Sequence, residues 1–404
     1  MSLRANEVSE AISFLRMRLL RLLCSLAMTG TFLFTSYFAF AEQEVRVLVA
    51  DHQKELHVTI QGEFVIRLLP SLQILKKGIQ LTNVSLTASS QGLRLGGEEW
   101  PTRALRIEPL SDRDLFINKS RFRGRMDILK ETGGLLSAIN RLGMENYLYG
   151  VLHHEVAAWW PMEALKAQAV AARTYAFYQA SVSKTLEYDL KSGTSSQVYG
   201  GSTTERYRSK RAVDETRGKV LIYQGKVFPA YFHATCGGIT AGAQELWKIN
   251  LPPLAGGVHC GYCRISPHTF WEFKISLPEL EMIMNKNSRP VGQILKAEII
   301  SETPSARVGS LRITGTLGDA VIAAKDFRVW LGGNHIRSTL FTINLNDDML
   351  EFHGKGWGHG VGLCQWGAFG QALLGHSYER ILQFYYPGSE IVDYDTNPSL
   401  RGVT

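Results

Sequence analysis

The stretch ENYLYGVLHHEVAAWWPMEALKAQAVAARTY, from Glu145 to Tyr175, holds two consecutive helical patterns, and in the first an acid falls on a stripe that should be apolar. Counted from Asn146, the residues Leu148, Leu152 and Glu155 recur at the spacing of one helix face, so the carboxyl points where leucines point. Burial disfavours the charged form of an acid and raises its pKa toward neutrality, which equips the group to donate a proton at working pH. Glu155 is therefore a candidate general acid. The plainer reading is a solvated or salt-bridged glutamate, with Lys166 or Arg173 as its partner.

Trp160-Pro161-Met162-Glu163 is a helix-start signal, with proline at the first position and an acid in the first turn. On the helix that follows, Lys166, Val170, Arg173 and Phe177 share one face. Leu165, Ala169, Ala172 and Ala176 share another, whose small side chains permit a close neighbour. Lys166 and Arg173 project together, two turns apart. Facing an acid across a cleft they are candidate ligand contacts; otherwise they are ordinary cationic surface.

Outward from this pair, Val45 to about Asp127 reads as short alternating strands such as Val45-Arg46-Val47-Leu48-Val49, broken by Gly and Pro. The patterns predict helices at about 144–156, 162–183 and 205–216, then a hairpin over Lys219–Ala230 turning at Gln224-Gly225. Strands are expected at 296–301 and 308–315, and further helices near 278–286, 325–331, 366–374 and 377–385. The expected fold class is α+β: a two-lobed body with helices around a central cleft and a β-rich N-terminal lobe. The expected division is a leader at 1–41, the β-rich lobe at 42–127, a catalytic domain at 128–395 and a tail at 396–404.

Arg16, Arg18 and Arg21 precede an uncharged run from Leu22 to Ala41 that ends Ala39-Phe40-Ala41. This is the pattern of a signal peptide, and its length of about 20 residues also suits an N-terminal membrane anchor. Either implies an exported chain acting in the periplasm or cell envelope. Leu23 before Cys24 argues against lipidation. Beyond residue 41 there remain 40 basic and 35 acidic side chains, dispersed along the chain. That surplus suits an anionic polymer, and with no basic run it speaks against a nucleic-acid partner.

Past the leader the cysteines are Cys236, Cys260, Cys263 and Cys364. His233-x2-Cys236 and Cys260-x2-Cys263 give four ligands in two short pairs, the spacing of a tetrahedral zinc site. His259 is a substitute for His233. A disulfide between Cys236 and one of the later pair is the alternative that an exported compartment permits. Four protein ligands would close the ion to water, making zinc structural. The glycines at 354, 356, 358, 360 and 362 alternate with Lys355, Trp357 and His359, as in a strand that lets backbone approach a ligand or packs on the alanine face of the Pro161 helix. Trp357 and Trp366 can stack on sugar faces. Lys355, His353, His359 and Gln365 are candidate polar contacts.

The segment EVAAWWPMEALKAQAVAARTYA resembles the signature of the sporulation stage II protein D family, the SpoIID/LytB domain, which includes the amidase-enhancer proteins. In the order expected of that family there follow SSQVYGG (Ser195–Gly201), VLIYQGKVFPAYFHATCGG (Val220–Gly238), ELW (Glu245–Trp247) and FHGKGWGHGVGLCQWGAFGQALLGHSYERILQFYYPGSEI (Phe352–Ile391). The likeness spans roughly Arg121 to Asp393. It departs at Cys364, where the family pattern has serine. The resemblance implies cleavage of peptidoglycan glycan strands, preferably those stripped of stem peptides, and a structural zinc in some members.

Ordinary glycosidases need two carboxylates, and this chain offers one outstanding candidate. A lytic transglycosylase manages with one, because the muramic acid 6-hydroxyl attacks in place of water and gains the advantage of proximity. Glu155 is then the acid/base, and Lys166, Arg173, Lys355, Trp357, His359 and Gln365 are expected to touch substrate. Two rivals stand beside this reading. One is a non-catalytic wall-binding protein that stimulates a cell-wall amidase; the other is a zinc hydrolase, which needs an open coordination position.

Overall fold

The structure is a computed structural model that describes residues 43–110, 115–183, 185, 187–193, 196–397 and 400. The leader expected at 1–41 and most of the tail expected at 396–404 lie outside the described residues. Among the described residues no helix is long and apolar enough to cross a membrane.

The fold is mixed α+β, built on a sheet of eleven strands. In chain order these are Glu44–Gln53, Glu55–Leu68, Ile74–Ala88, Leu93–Leu95, Glu98–Trp100, Ala104–Pro109, Leu115–Ile117, Ser120–Phe122, Arg125–Lys130, Leu136–Gly143 and Leu190–Lys191. Alternation puts Val45 and Val47, Leu56 and Val58, and Leu105 and Ile107 wholly inside, as period-two patterning requires. The strand Leu136–Gly143 pairs antiparallel with both Glu44–Gln53 and Arg125–Lys130. The sheet therefore runs across the expected boundary at 127/128, and the N-terminal strands share one apolar core with the helices that follow.

That central strand passes directly into α1 (Met144–Glu155), which buries Tyr147, Leu148, Val151 and Leu152. The helix stops because Val156 turns extended, leaving Glu155 as its last residue. After the Pro161 cap, α2 (Met162–Val182) is the axis of the core, with almost every residue from Ala164 to Phe177 buried. A helix hydrophobic all round is one covered all round. Its covers include α1, α3 (Tyr207–Glu215) and the strand Lys219–Tyr223. That strand turns through Gln224 and Gly225, both at positive φ, into Lys226–Val227 and also pairs with Glu390–Asp393. Next come α4 (Ala243–Trp247) and α5 (Leu277–Lys286).

A second apolar cluster, separate from the first, lies between Trp271 and Phe352. It joins two three-stranded sheets, one of Phe270–Ser276, Met349–Lys355 and Phe341–Asn346, the other of Ile294–Glu302, Val308–Gly315 and Gly318–Ala323. Leu280 of α5 and Phe327 of α6 (Ala324–Leu331) fill its centre. Arg307, fully buried, ties this cluster to the first by donating to the carbonyls of Cys236 at 2.7 Å and Ile239 at 3.2 Å. The chain then returns to the first core through α7 (Gln365–Leu373) and α8 (Tyr378–Tyr385).

The glycine-rich block is not the continuous strand that alternation suggests. Strand pairing ends at Lys355, and Gly356, Gly358, Gly360 and Gly362 all take positive φ in the loop beyond it. A Cβ at Gly362 would stand 2.0 Å from the carbonyl of Tyr231, and one at Gly360 would strike the Arg307 guanidinium. These glycines press the loop onto the segment 231–241 and Arg307, not onto the alanine face of α2.

Candidate active site

A cleft of about 280 Å³ opens beside the C-terminus of α1. It is lined by Glu155, Ser196, Val198, Phe232, His233, Ala234, Arg328, Trp357, Gly358, His359 and Gln365. Glu155 enters because α1 ends there. The backbone N–H of Val198 donates to its Oε1 at 3.3 Å, and the Gln365 side chain also hydrogen-bonds the carboxyl. Both bonds favour the carboxylate, yet desolvation outweighs them and pushes the pKa from 4.5 up to about 7. No other Asp or Glu lines the cleft among the described residues.

The wall carrying Val198 is braced from beneath. Tyr147 donates to Gln197 Oε1 at 3.0 Å, Gln197 Nε2 donates to the carbonyl of Ala172, and Tyr199 donates to Asn140 at 2.8 Å. The opposite wall rests on two short parallel strands that pair Phe232 with Leu363 and His233 with Cys364. His359 accepts the N–H of Val361 on Nδ1 at 3.0 Å and bonds the Phe232 backbone as well. Burial holds its pKa down at about 4, so it is a neutral, fixed ring. His233 bonds the carbonyl of Val361 through Nδ1 at 3.1 Å, which requires the proton on that nitrogen. Its Nε2 is buried and has no partner among the described residues, and burial keeps the ring neutral by lowering its pKa well below 6.5. A lone pair is thus left for a ligand hydroxyl or amide.

Of the residues singled out from sequence, the cleft gathers Glu155, Trp357, His359 and Gln365. Five others go elsewhere. Arg173 is wholly buried on α2, where Nε and Nη2 clasp both oxygens of Glu145 at 2.9 and 2.7 Å and Nη1 reaches the carbonyl of Lys219. It cannot touch a substrate. Lys166 lies between Glu215 at 2.8 Å and Glu163 at 3.1 Å, away from the cleft lining. Lys355 is exposed and its ammonium lies over the Phe270 ring. Trp366, partly buried, packs edge-on against Trp160 at the margin of the core and is not part of the cleft lining. Exposed His353 faces Glu272.

The metal set is also corrected. Cys236, Cys260, Cys263 and Cys364 are buried free thiols whose sulfurs all lie within 4.8 Å of one another. His233 is not the fourth member, because its ring turns into the cleft, and His259 is exposed. A tetrahedral zinc–thiolate site has sulfurs about 3.8 Å apart, from a bond of about 2.3 Å, so the cluster is of the right size. The Cys236 N–H donates to Cys364 Sγ at 3.2 Å and the Tyr385 hydroxyl lies 3.1 Å from Cys260 Sγ. Such bonds steady thiolates. The four residues can hold a metal ion, and with four sulfur ligands the ion has no position left for water. Sequence spacing hid Cys364 because its partners lie more than a hundred residues upstream. Arg328 carried no local signal at all.

Residues 132–223 match the family model described as stage II sporulation protein (SpoIID), and residues 265–362 match a domain of unknown function (DUF8618). The chain is similar to an uncharacterised protein of Brachyspira hyodysenteriae, 40% identical over 260 residues that make up 64% of this chain and 68% of the relative. It is 31% identical over 274 residues to the stage II sporulation protein D of Bacillus amyloliquefaciens, covering 64% of this chain and 77% of that one. Similarity to the amidase enhancer of Bacillus subtilis is 29% over 298 residues, only 40% of that longer protein. The matched SpoIID segment contains α1, the acid that ends it, all of α2 and the Val198 wall, and on this footing the chain belongs to the SpoIID family.

Proposed function

We propose that the protein is a lytic transglycosylase of peptidoglycan glycan strands, working in the cell envelope. One observation carries this reading: among the described residues the cleft has a single carboxyl, Glu155, and its pKa stands at about 7. Protonated Glu155 donates to the bridging oxygen as the muramic acid C1–O bond breaks. The oxocarbenium character at C1 is relieved when the 6-hydroxyl of the same sugar attacks, and Glu155 takes the proton that this hydroxyl loses. The acid returns to its starting state, and no water is consumed. Val198 N–H and Gln365 stabilise the carboxylate formed halfway, which lowers the barrier to the first proton transfer. Trp357 offers a sugar-stacking ring, and the free His233 Nε2 accepts from a sugar hydroxyl or acetamido N–H.

The four-cysteine cluster is assigned a structural zinc, which supplies binding energy to the folded wall and no chemistry to the sugar. Similarity to the amidase enhancer of Bacillus subtilis favours a second reading, a wall-binding protein that stimulates an amidase. Mass analysis of peptide-stripped glycan strands digested by the purified protein in heavy-oxygen water separates the outcomes. The transglycosylase yields 1,6-anhydro-muramic ends with no label. Labelled reducing ends would refute it in favour of hydrolysis, and no cleavage would favour the amidase-enhancing binder.

A further inference from the structure

Arg328 is an unusual occupant of the cleft. It comes from α6, in the second apolar cluster, and lies within residues 265–362, outside the matched SpoIID segment. Its Nε donates to the carbonyl of Ile336 at 2.9 Å, which fixes the guanidinium plane. Among the described residues that is its one hydrogen bond, and it has no carboxylate partner. Desolvation is the single influence acting on its charge. Gly333 leaves the space beside Nη2 open, where a Cβ would come within 3.1 Å. The fully buried arginines instead meet protein acceptors with their terminal nitrogens: Arg307 through Nη1 and Nη2 on carbonyls, and Arg173 through Nη2 on Glu145. A partly desolvated cation that lines a ligand cleft and has no carboxylate partner among the described residues calls for an anion there.

Arg328 lines the same cleft as Glu155 and His359, and it is not among the groups that shift the acid's pKa. An anion bound to Arg328 in this cleft is carried on the same sugar chain as the bond being cut. On a peptidoglycan strand the group that meets this description is the lactyl substituent of muramic acid. It is an amide while the stem peptide is attached and a carboxylate once the peptide is removed.

We propose that Arg328 binds the free lactyl carboxylate of peptide-stripped muramic acid and so makes the segment 265–362 the reader of that state. This rests on the transglycosylase reading for its substrate, and the test separates the two. Peptide-free glycan oligomers are prepared with lactyl carboxylates or with the same groups converted to methylamides. Binding of each to the full-length Glu155→Gln protein is measured by calorimetry, and cleavage of each by the wild type is measured in parallel. The carboxylate form binds about tenfold or more tightly, the size expected of a charge-assisted pair. Adding Arg328→Gln brings the two affinities together, whereas Arg328→Lys keeps part of the preference. Equal binding of both oligomers to the Glu155→Gln protein overturns the proposal, as does an Arg328→Gln loss of equal size on both. Discrimination in binding without any cleavage upholds Arg328 and refutes the transglycosylase reading, and cleavage without discrimination does the reverse.

Discussion

Replacing Glu155 by glutamine tests the desolvated acid through stability as well as turnover. In the unfolded chain the carboxyl ionises near 4.5, and in the fold it holds its proton to about 7. Below pH 4.5 both states are protonated and the native carboxyl carries no penalty. Between 4.5 and 7 the unfolded carboxyl ionises while the native one does not, so stability falls as pH climbs, and above 7 the loss is complete. The difference between those two values corresponds to roughly 3 kcal/mol. Water reaching the partly exposed side chain screens some of it, leaving about 1–3 kcal/mol. Glutamine keeps the shape and has no proton to lose. Subtracting the two proteins' urea-unfolding free energies cancels every other titrating group, and the variant should gain about 1–3 kcal/mol on the wild type between pH 4.5 and 8. In the same range the wild-type kcat/KM on stripped strands should be flat up to about pH 7 and then fall about tenfold per pH unit, while the variant is inactive. His359 and His233 are held neutral by burial, so neither supplies that limb. A stability difference that does not change with pH would refute the desolvated acid, whatever happened to activity.

The corrected metal set predicts that Cys364→Ser lowers bound zinc and costs several kcal/mol of stability, while His233→Ala retains zinc, as read by metal analysis and thermal melts. The opposite pattern would restore His233 as a ligand. Arg173→Met should destabilise by about 3–5 kcal/mol in urea unfolding, because it strands the buried Glu145 carboxylate. Lys166→Ala, by contrast, should leave glycan cleavage within about twofold of wild type, since its partners are Glu163 and Glu215, away from the cleft lining, and a partly exposed pair of this kind is worth about 1 kcal/mol or less. A large loss of turnover with Lys166→Ala would return that residue to the substrate path.

The elements legible in the sequence are those whose signal is local. Apolar periodicity placed α1 and α2 to within a residue, and the turn chemistry of Gln224-Gly225 placed its hairpin. The same local reading misled where burial was complete. Arg173 shares a stripe with Lys166, and sequence gives no means of seeing that α3 and the strand Lys219–Tyr223 close over one cation and not the other. It also mistook His233 for a ligand, since the x2 spacing to Cys236 suits a metal turn. In the fold the His233 ring lines the cleft and bonds the Val361 carbonyl, while Cys236, beyond the end of the two-residue strand, is buried with the other three sulfurs. Local patterning likewise does not show that the sheet continues past Asp127. Strand pairing is non-local, and Leu136–Gly143 completes a sheet begun at Glu44.

The sulfur cluster and the acid are linked through the parallel pair that joins them. Cys364 is immediately followed by Gln365, which bonds Glu155, and Cys236 follows His233 by three residues on the neighbouring strand. A metal held by Cys236, Cys260, Cys263 and Cys364 therefore clamps the two strands that present Gln365 and His233. The coil leading into the Leu363–Cys364 strand is the glycine loop carrying Trp357 and His359, whose positive-φ residues pack without side chains against Tyr231 and Arg307. Such a loop has little apolar area of its own to hold it, and Gly at these positions raises the entropy of the unfolded chain. The clamp supplies what the loop lacks. Metal loss should thus be felt first as a displaced Gln365 and a loosened Trp357 wall. Chelation that lowers kcat while Glu155 keeps its pH limb would fit this arrangement, whereas chelation that abolishes turnover with no change in Trp357 fluorescence would point instead to a metal acting on the sugar.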